Sequence, residues 1–207
     1  MLTERKFEVL LFDLGGVLVH FTGFEELGYL LPDAPDSATV RHRWICSKAV
    51  HLFESGAISP PEFGLRLVEE WNLRLSPEGF LREFERWPRG LYPGAGPLLQ
   101  HLRKTYRLAC LSNSNELHTH LHRQYLEGHL EQFFFSHELG LAKPQPEIFD
   151  FVVDELGCPP GRIAFFDDTA VNVRAGSSAG MKAYLADGLG NLKRQLVDLG
   201  VLEVETG

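Results

Sequence analysis

Residues 7–20 read Phe7-Glu8-Val9-Leu10-Leu11-Phe12-Asp13-Leu14-Gly15-Gly16-Val17-Leu18-Val19-His20, and this stretch decides the fold. After Glu8 the run is apolar and uncharged until a single carboxylate, Asp13, which is followed by the pair Gly15-Gly16. An unbroken aliphatic run suits a strand buried on both faces, as at the centre of a parallel sheet. Asp13 then stands at the carboxyl end of that strand, where open α/β sheets hold their ligands. The glycines let the backbone turn sharply and come close to a bound group. Taken alone, the segment is equally well a strand that ends in a turn-forming Asp.

Outward from this strand the texture changes. Residues 21–89 show no strand-like run and read as about four helical pieces between breakers. Ser37 to Phe53 reads as one helix ending at Gly56. Ser59-Pro60-Pro61-Glu62 and Ser76-Pro77 are helix starts, with a capping Ser and Pro in the first turn. From Leu91 the rhythm becomes strand and helix in alternation. Tyr106 to Leu111, Phe133 to Phe135, Ile163 to Phe166 and Lys182 to Leu185 are the further strands. Alternation of this kind predicts a parallel sheet with right-handed crossovers. The expected fold class is α/β, a Rossmann-like parallel sheet built from residues 1–20 and 90–207, with an inserted α-helical cap at 21–89.

Composition narrows the function classes. Twenty Lys and Arg against 28 Asp and Glu leave a formal charge of −8, with no basic cluster to offset it. A nucleic-acid backbone or an anionic membrane is therefore not the expected partner. Three scattered cysteines, Cys46, Cys110 and Cys158, without a CxxC pair read as reduced thiols in a cytoplasmic protein. No signal-peptide pattern opens the chain, and no apolar run is long enough to span a bilayer. The sequence carries no signal for an oligomeric state.

Three predicted strands end in polar groups: Asp13, Ser112 with Asn113, and Asp167 with Asp168. In a parallel sheet these ends share one edge. Carboxylates gathered there repel one another unless a cation sits among them, and an all-oxygen set favours Mg²⁺. A hydroxyl and backbone amides at Ser112-Asn113, with one Lys, supply what a phosphoryl group needs.

Four stretches in order, FDLGGV (12–17), LSNSN (111–115), AKPQPEIF (142–149) and FFDDTAVNV (165–173), make the chain resemble the haloacid dehalogenase superfamily of hydrolases. The resemblance covers almost the whole chain. Its second half looks particularly like the phosphatase domain of soluble epoxide hydrolases and a bacterial branch of glucose 1-phosphate phosphatases. It implies a phosphatase that hydrolyses a small phosphorylated substrate with Mg²⁺. Asp13 would attack phosphorus and form an aspartyl-phosphate, and would also ligate the metal. Ser112 and the Asn113 backbone would hold phosphoryl oxygens, and Lys143 would offset charge on nucleophile and phosphate. Asp168 would bind the metal directly, the Gly15 carbonyl would join it, and Asp167 would reach the ion through water or orient Lys143.

One departure from the family pattern stands out. Most phosphatases of the superfamily carry a second Asp two residues after the nucleophile, as general acid, whereas this chain has Gly15. General acid help is worth about 10² to 10⁴ in rate. Three readings follow. Water or another side chain, such as His20, gives the proton. The leaving group, such as an anomeric hydroxyl, needs less help. Or the chain only binds a phosphate ester. Dehalogenation is a poorer fit, because the acidic pair Asp167-Asp168 is ready for a metal that dehalogenases do without. His118 and His122, at i and i+4 in His118-Thr119-His120-Leu121-His122, could bind Zn²⁺ but lack a third ligand, and read instead as a solvated helix face. Trp44, His51, Phe53, Glu54 and Ser55 would line the cap over the site or form the cap's own core.

Overall fold

A computed structural model describes residues 5–203; the ends of the expected core, 1–4 and 204–207, lie outside them. The chain opens with β1 (Val9–Phe12) and β2 (Val19–Phe21). Five helices follow: α1 (Gly23–Leu30), α2 (Ser37–Cys46), α3 (Lys48–Glu54), α4 (Pro60–Trp71) and α5 (Pro77–Phe84). After β3 (Pro88–Leu91) come α6 (Ala95–Leu102), β4 (Arg107–Ser112), α7 (Glu116–Leu126), β5 (Gln132–Phe135) and the single turn α8 (Ser136–Leu139). The chain ends with α9 (Pro146–Leu156), β6 (Ile163–Asp167), α10 (Ala170–Ser178), β7 (Lys182–Leu185) and α11 (Gly188–Asp198).

β5, β4, β1, β6 and β7 form one parallel sheet in that order, an α/β Rossmann-like arrangement with β1 at its centre. The two-residue period of β1 explains why every one of its side chains is apolar. Val9 and Leu11 enter a cluster with Ile148, Phe149 and Val152 of α9. Leu10 and Phe12 enter a second cluster on the other face, with Leu98 and Leu99 of α6 and Leu192 and Leu196 of α11. Register then sets the site. Phe12 pairs with Cys110 and with Phe166, so Asp13, Leu111-Ser112 and Asp167 arrive together at the carboxyl edge. The Asp13 N–H donates to the Phe166 carbonyl at 2.8 Å, which ties that edge together.

The inserted helices have an apolar cluster of their own, built from Trp44, Phe53, Phe63, Trp71, Phe80, Phe84 and Trp87. Phe53 stacks on Phe63 with centroids 4.2 Å apart. Two local features differ from the sequence reading. The single helix expected from Ser37 to Phe53 is two, because Ser47 takes an extended backbone and its hydroxyl accepts from the Val50 N–H at 3.3 Å, opening α3 afresh. The antiparallel pair β2–β3 joins insertion to core. It is too short, and in Pro88-Arg89-Gly90-Leu91 too rich in breakers, to carry a strand pattern. Among the described residues no helix is long and apolar enough to cross a membrane. Cys46, Cys110 and Cys158 are free thiols.

Candidate active site

Asp13, Asp167 and Asp168 meet at the carboxyl edge, each offering a carboxylate oxygen within 4.8 Å of the others. Lys143, from the loop before α9, lies buried among them. Its Nζ donates to Asp167 Oδ2 at 2.6 Å and to the Leu111 carbonyl at 2.9 Å, and pairs with Asp13 Oδ1 at 2.9 Å. Burial alone would push this ammonium down, but Asp13 and Asp167 outweigh burial and hold it above its ordinary value. Lys143 is therefore a fixed positive charge.

The Lys143 backbone is held just as closely. Its N–H donates to Asn113 Oδ1 at 2.8 Å, and Asn113 Nδ2 returns a bond to its carbonyl at 2.9 Å. The Asn113 side chain thus clamps the two loops together, a use that sequence reasoning did not foresee. Ser112, at the end of β4, makes only a long 3.5 Å contact to the Asn113 carbonyl, which leaves its hydroxyl available to the cleft.

The adjacent acids are spent differently. Asp167 is fully buried, and both its oxygens are taken, by Lys143, by the Thr169 N–H at 2.8 Å and by Asn172 Nδ2 at 3.1 and 3.2 Å. Asp168 faces the cleft, where Arg41 of α2 pairs with its Oδ1 at 2.5 Å and donates to Thr169 Oγ1 at 2.7 Å. Burial, above all, pushes the carboxyls of Asp13, Asp167 and Asp168 up, and repulsion within the group adds to it. Such a carboxylate set, with two cations against three acids, is suited chemically to a hard divalent cation. Gly16 is required here. Its φ is +77°, and a Cβ would run into the Asp168 carboxylate. Gly15 also lines the cleft but is not so constrained, since a Cβ there would meet only Phe21, at 3.8 Å.

The inserted helices close over this edge and leave a cleft of about 530 Å³. Trp44, His51 and Glu54 line it, whereas Phe53 belongs to the apolar cluster. Ser55 turns its hydroxyl back to the Leu52 carbonyl at 3.2 Å. Glu54 Oε1 accepts from Trp44 Nε1 at 3.1 Å. Burial in the enclosed cleft pushes the Glu54 carboxyl up to about 7, against the opposing pull of Trp44, Lys143 and Asn113. Arg41 and Asn172 are the site residues that sequence reasoning left without a role, and neither stands at a strand end; Glu54 lines the cleft, the first of the two placements expected for it.

One expectation needs correction, and one of the open alternatives for a proton donor, His20, falls away. His118 and His122 do not form a solvated face: both are buried. His118 Nε2 donates to the Phe84 carbonyl at 2.7 Å, and the ring stacks on Phe84 at 4.2 Å. His122 Nδ1 lies 3.3 Å from Ser114 Oγ. Burial lowers them to about 4 and about 3, so both are neutral packing groups. Among the described residues neither belongs to a metal-binding cluster. His20 is exposed and packs on Tyr92, outside the cleft lining, so it is not placed to donate a proton.

Residues 7–180 match the haloacid dehalogenase-like hydrolase family model. A D-ribitol-5-phosphate phosphatase of Bacteroides thetaiotaomicron is 26% identical over 90% of this chain and 95% of its own. The bifunctional epoxide hydrolase 2 of Mus musculus is 30% identical over 34% of this chain and 13% of its own length. Among solved structures, the haloacid dehalogenase family enzyme bt-2542 of B. thetaiotaomicron, in complex with magnesium and inorganic phosphate, superimposes with a TM-score of 0.67. It is 25% identical, over 86% of this chain and 93% of that one. The chain belongs to the haloacid dehalogenase-like hydrolases.

Proposed function

From that membership, we propose that this hydrolase is a Mg²⁺-dependent phosphatase of small phosphomonoesters, a sugar or polyol phosphate being the substrate class. The observation that carries the reading is the seating of Lys143 between Asp13 and Asp167, with Asp168 and the uncommitted Ser112 hydroxyl beside them. The kinship to a D-ribitol-5-phosphate phosphatase and the size of the cleft, within the range that holds small ligands, support the substrate class.

In this reading Asp13 attacks phosphorus, the ester P–O bond breaks, and an aspartyl-phosphate forms that water then hydrolyses. Ser112 and the Asn113 N–H hold the phosphoryl oxygens. Lys143 keeps Asp13 ionised and aims it. Asp13, Asp168 and the Gly15 carbonyl would hold the cation, and Asp167, its oxygens already committed, anchors Lys143. Mg²⁺, when bound, neutralises phosphoryl charge and aligns the ester. Residues 21–89 act as a cap whose Arg41, Trp44 and Glu54 face the leaving group. The three free thiols fit a reducing compartment, the cytoplasm.

The test is phosphate release from a panel of phosphomonoesters with Mg²⁺. Turnover abolished by chelator, restored by Mg²⁺ and reduced about 10³-fold or more by Asp13→Asn is the expected result. An Asp13→Asn chain with full activity would overturn it.

A further inference from the structure

Phosphate transfer from an alkyl ester leaves an alkoxide, which must take up a proton as the P–O bond breaks. Gly15 has no side chain to give one. The cleft itself offers few candidates. Lys143 spends its Nζ on Asp13, Asp167 and Leu111 and is held charged. His118 gives its one N–H to the Phe84 carbonyl. Burial keeps His122 uncharged, so it has no acidic imidazolium proton to give, and its Nδ1 lies 3.3 Å from Ser114 Oγ. Tyr92 also lines the cleft, but burial, with Asp187, Asp168 and Glu25 beside it, pushes its phenol up, further from a proton donor near neutral pH. Glu25, His51 and Asp187 also line the cleft but are solvent-exposed.

Glu54 is placed otherwise. It is the last residue of α3, and it lines the same cleft as Asp13, Asn113 and Lys143, whose charges and dipoles act on its carboxyl. Trp44 Nε1 fixes one oxygen at 3.1 Å, and the Asn113 side chain also acts on the carboxyl, so that the group is held in the part of the cleft that a bound ester would enter. The end of α3 is seated as well. Gly56 follows with φ +71°, and its Cα lies so close to the His137 carbonyl of α8 that a Cβ would meet that oxygen at 2.5 Å. This carboxyl is therefore carried by the inserted helices and held against the core at their point of contact.

Building on the phosphatase reading, we propose that Glu54 is the general acid–base, reaching the leaving oxygen from the cap side opposite Asp13. In the first step the Asp13 Oδ–P bond forms, the P–O ester bond breaks, and the Glu54 proton passes to the leaving oxygen. In the second, water attacks phosphorus and gives its proton to the Glu54 carboxylate as the Asp13 Oδ–P bond breaks. Both partners are then restored. The elevated carboxyl of Glu54 suits both halves of the cycle near neutral pH. A built-in acid also indicates that the natural leaving group is an ordinary alcohol, as at a primary carbon of a polyol or sugar.

The experiment is Glu54→Gln, assayed with Mg²⁺ on a series of phosphomonoesters of rising leaving-group pKa, from 4-nitrophenyl to primary alkyl. Gln keeps the acceptor for Trp44. The variant is expected to lose about 10²- to 10³-fold in kcat on alkyl esters and less than about tenfold on the nitrophenyl ester, steepening the dependence on leaving group. Equal loss across the series, or no loss on alkyl esters, would overturn the assignment. Gly15→Asp added to E54Q is the second measurement, sterically open because a Cβ at Gly15 meets only Phe21. A returned carboxyl flattens the dependence again if leaving-group protonation was what was lost. It leaves every ester equally slow if Glu54 served the fold alone, which overturns the proposal. A native chain that releases phosphate from neither end of the series overturns the phosphatase reading itself, and this assignment with it.

Discussion

Replacing Lys143 by Met tests the electrostatic account of the site without reference to turnover. Met fills much of the same volume but carries no charge. The ammonium faces carboxylate oxygens at 2.9 and 2.6 Å, and at an effective dielectric of about 20 each such pair attracts by about 6 kcal/mol. Desolvation of the buried ammonium takes back several kcal/mol. The net loss on removing one partner, which strands Asp13 and Asp167 as uncompensated buried charges, is about 3–5 kcal/mol. The loss should shrink as pH falls. The carboxyls of Asp13 and Asp167 already stand above their ordinary value in the native chain, through burial first, and loss of Lys143 lifts them further. Between the unfolded carboxylate value and this higher folded one, the native state binds more protons than the unfolded state, so stability falls as pH rises through that window. Urea unfolding at pH 7.5 and pH 5, with chelator present and native protein alongside, reads both quantities. A deficit below about 1 kcal/mol at pH 7.5, or one equal at the two pH values, would refute the reasoning.

Gly16→Ala should destabilise the chain by about 1–3 kcal/mol, since its φ of +77° is strained for Ala and its Cβ runs into Asp168, whereas Gly15→Ala should stay within about 1 kcal/mol; thermal melts compare them. Arg41→Gln frees Asp168 from a partly exposed 2.5 Å pair and should tighten Mg²⁺ about fivefold in a calorimetric titration. Phe63→Ala, in the centre of the aromatic cluster of the inserted helices, should cost about 3–5 kcal/mol by urea unfolding.

The sheet was legible in the sequence because its evidence is local. Val9 to Phe12 has no polar residue, which suits a strand covered on both faces, and in a parallel sheet the acids that follow such runs share an edge. Asp13, Ser112 and Asp168 were accessible to that logic, since each lies at or just past a strand end, whereas Lys143 was named only by the family resemblance. The β2–β3 pair was not, because three or four residues that include Pro88 and Gly90 leave no period to read. Nor was the break at Ser47, where a single hydroxyl accepting the Val50 N–H restarts a helix whose apolar spacing runs on regardless.

What stayed hidden depends on tertiary contact. His118 and His122 looked solvated because a histidine pair on a helix shows no apolar stripe. The structure buries them because the Phe84 carbonyl and Ser114 hydroxyl supply the polar partners that burial demands. Arg41 is the same problem in reverse, and Glu54 is half of it, since the sequence placed it over the site or in the cap's core without choosing. On α2 and α3 each is one charged residue among several, and only the closure of the inserted helices over the sheet edge turns Arg41 onto Asp168 and brings Glu54 into the cleft that Asp13 lines. A charged group gains a role here from where its helix is docked, and α3 is docked by the close approach of Gly56 to His137. It follows that substitutions at Gly56, remote from phosphorus, should act through the placement of Glu54. On the proposed role of Glu54, the proton that Gly15 cannot give comes from the helices that cover the substrate.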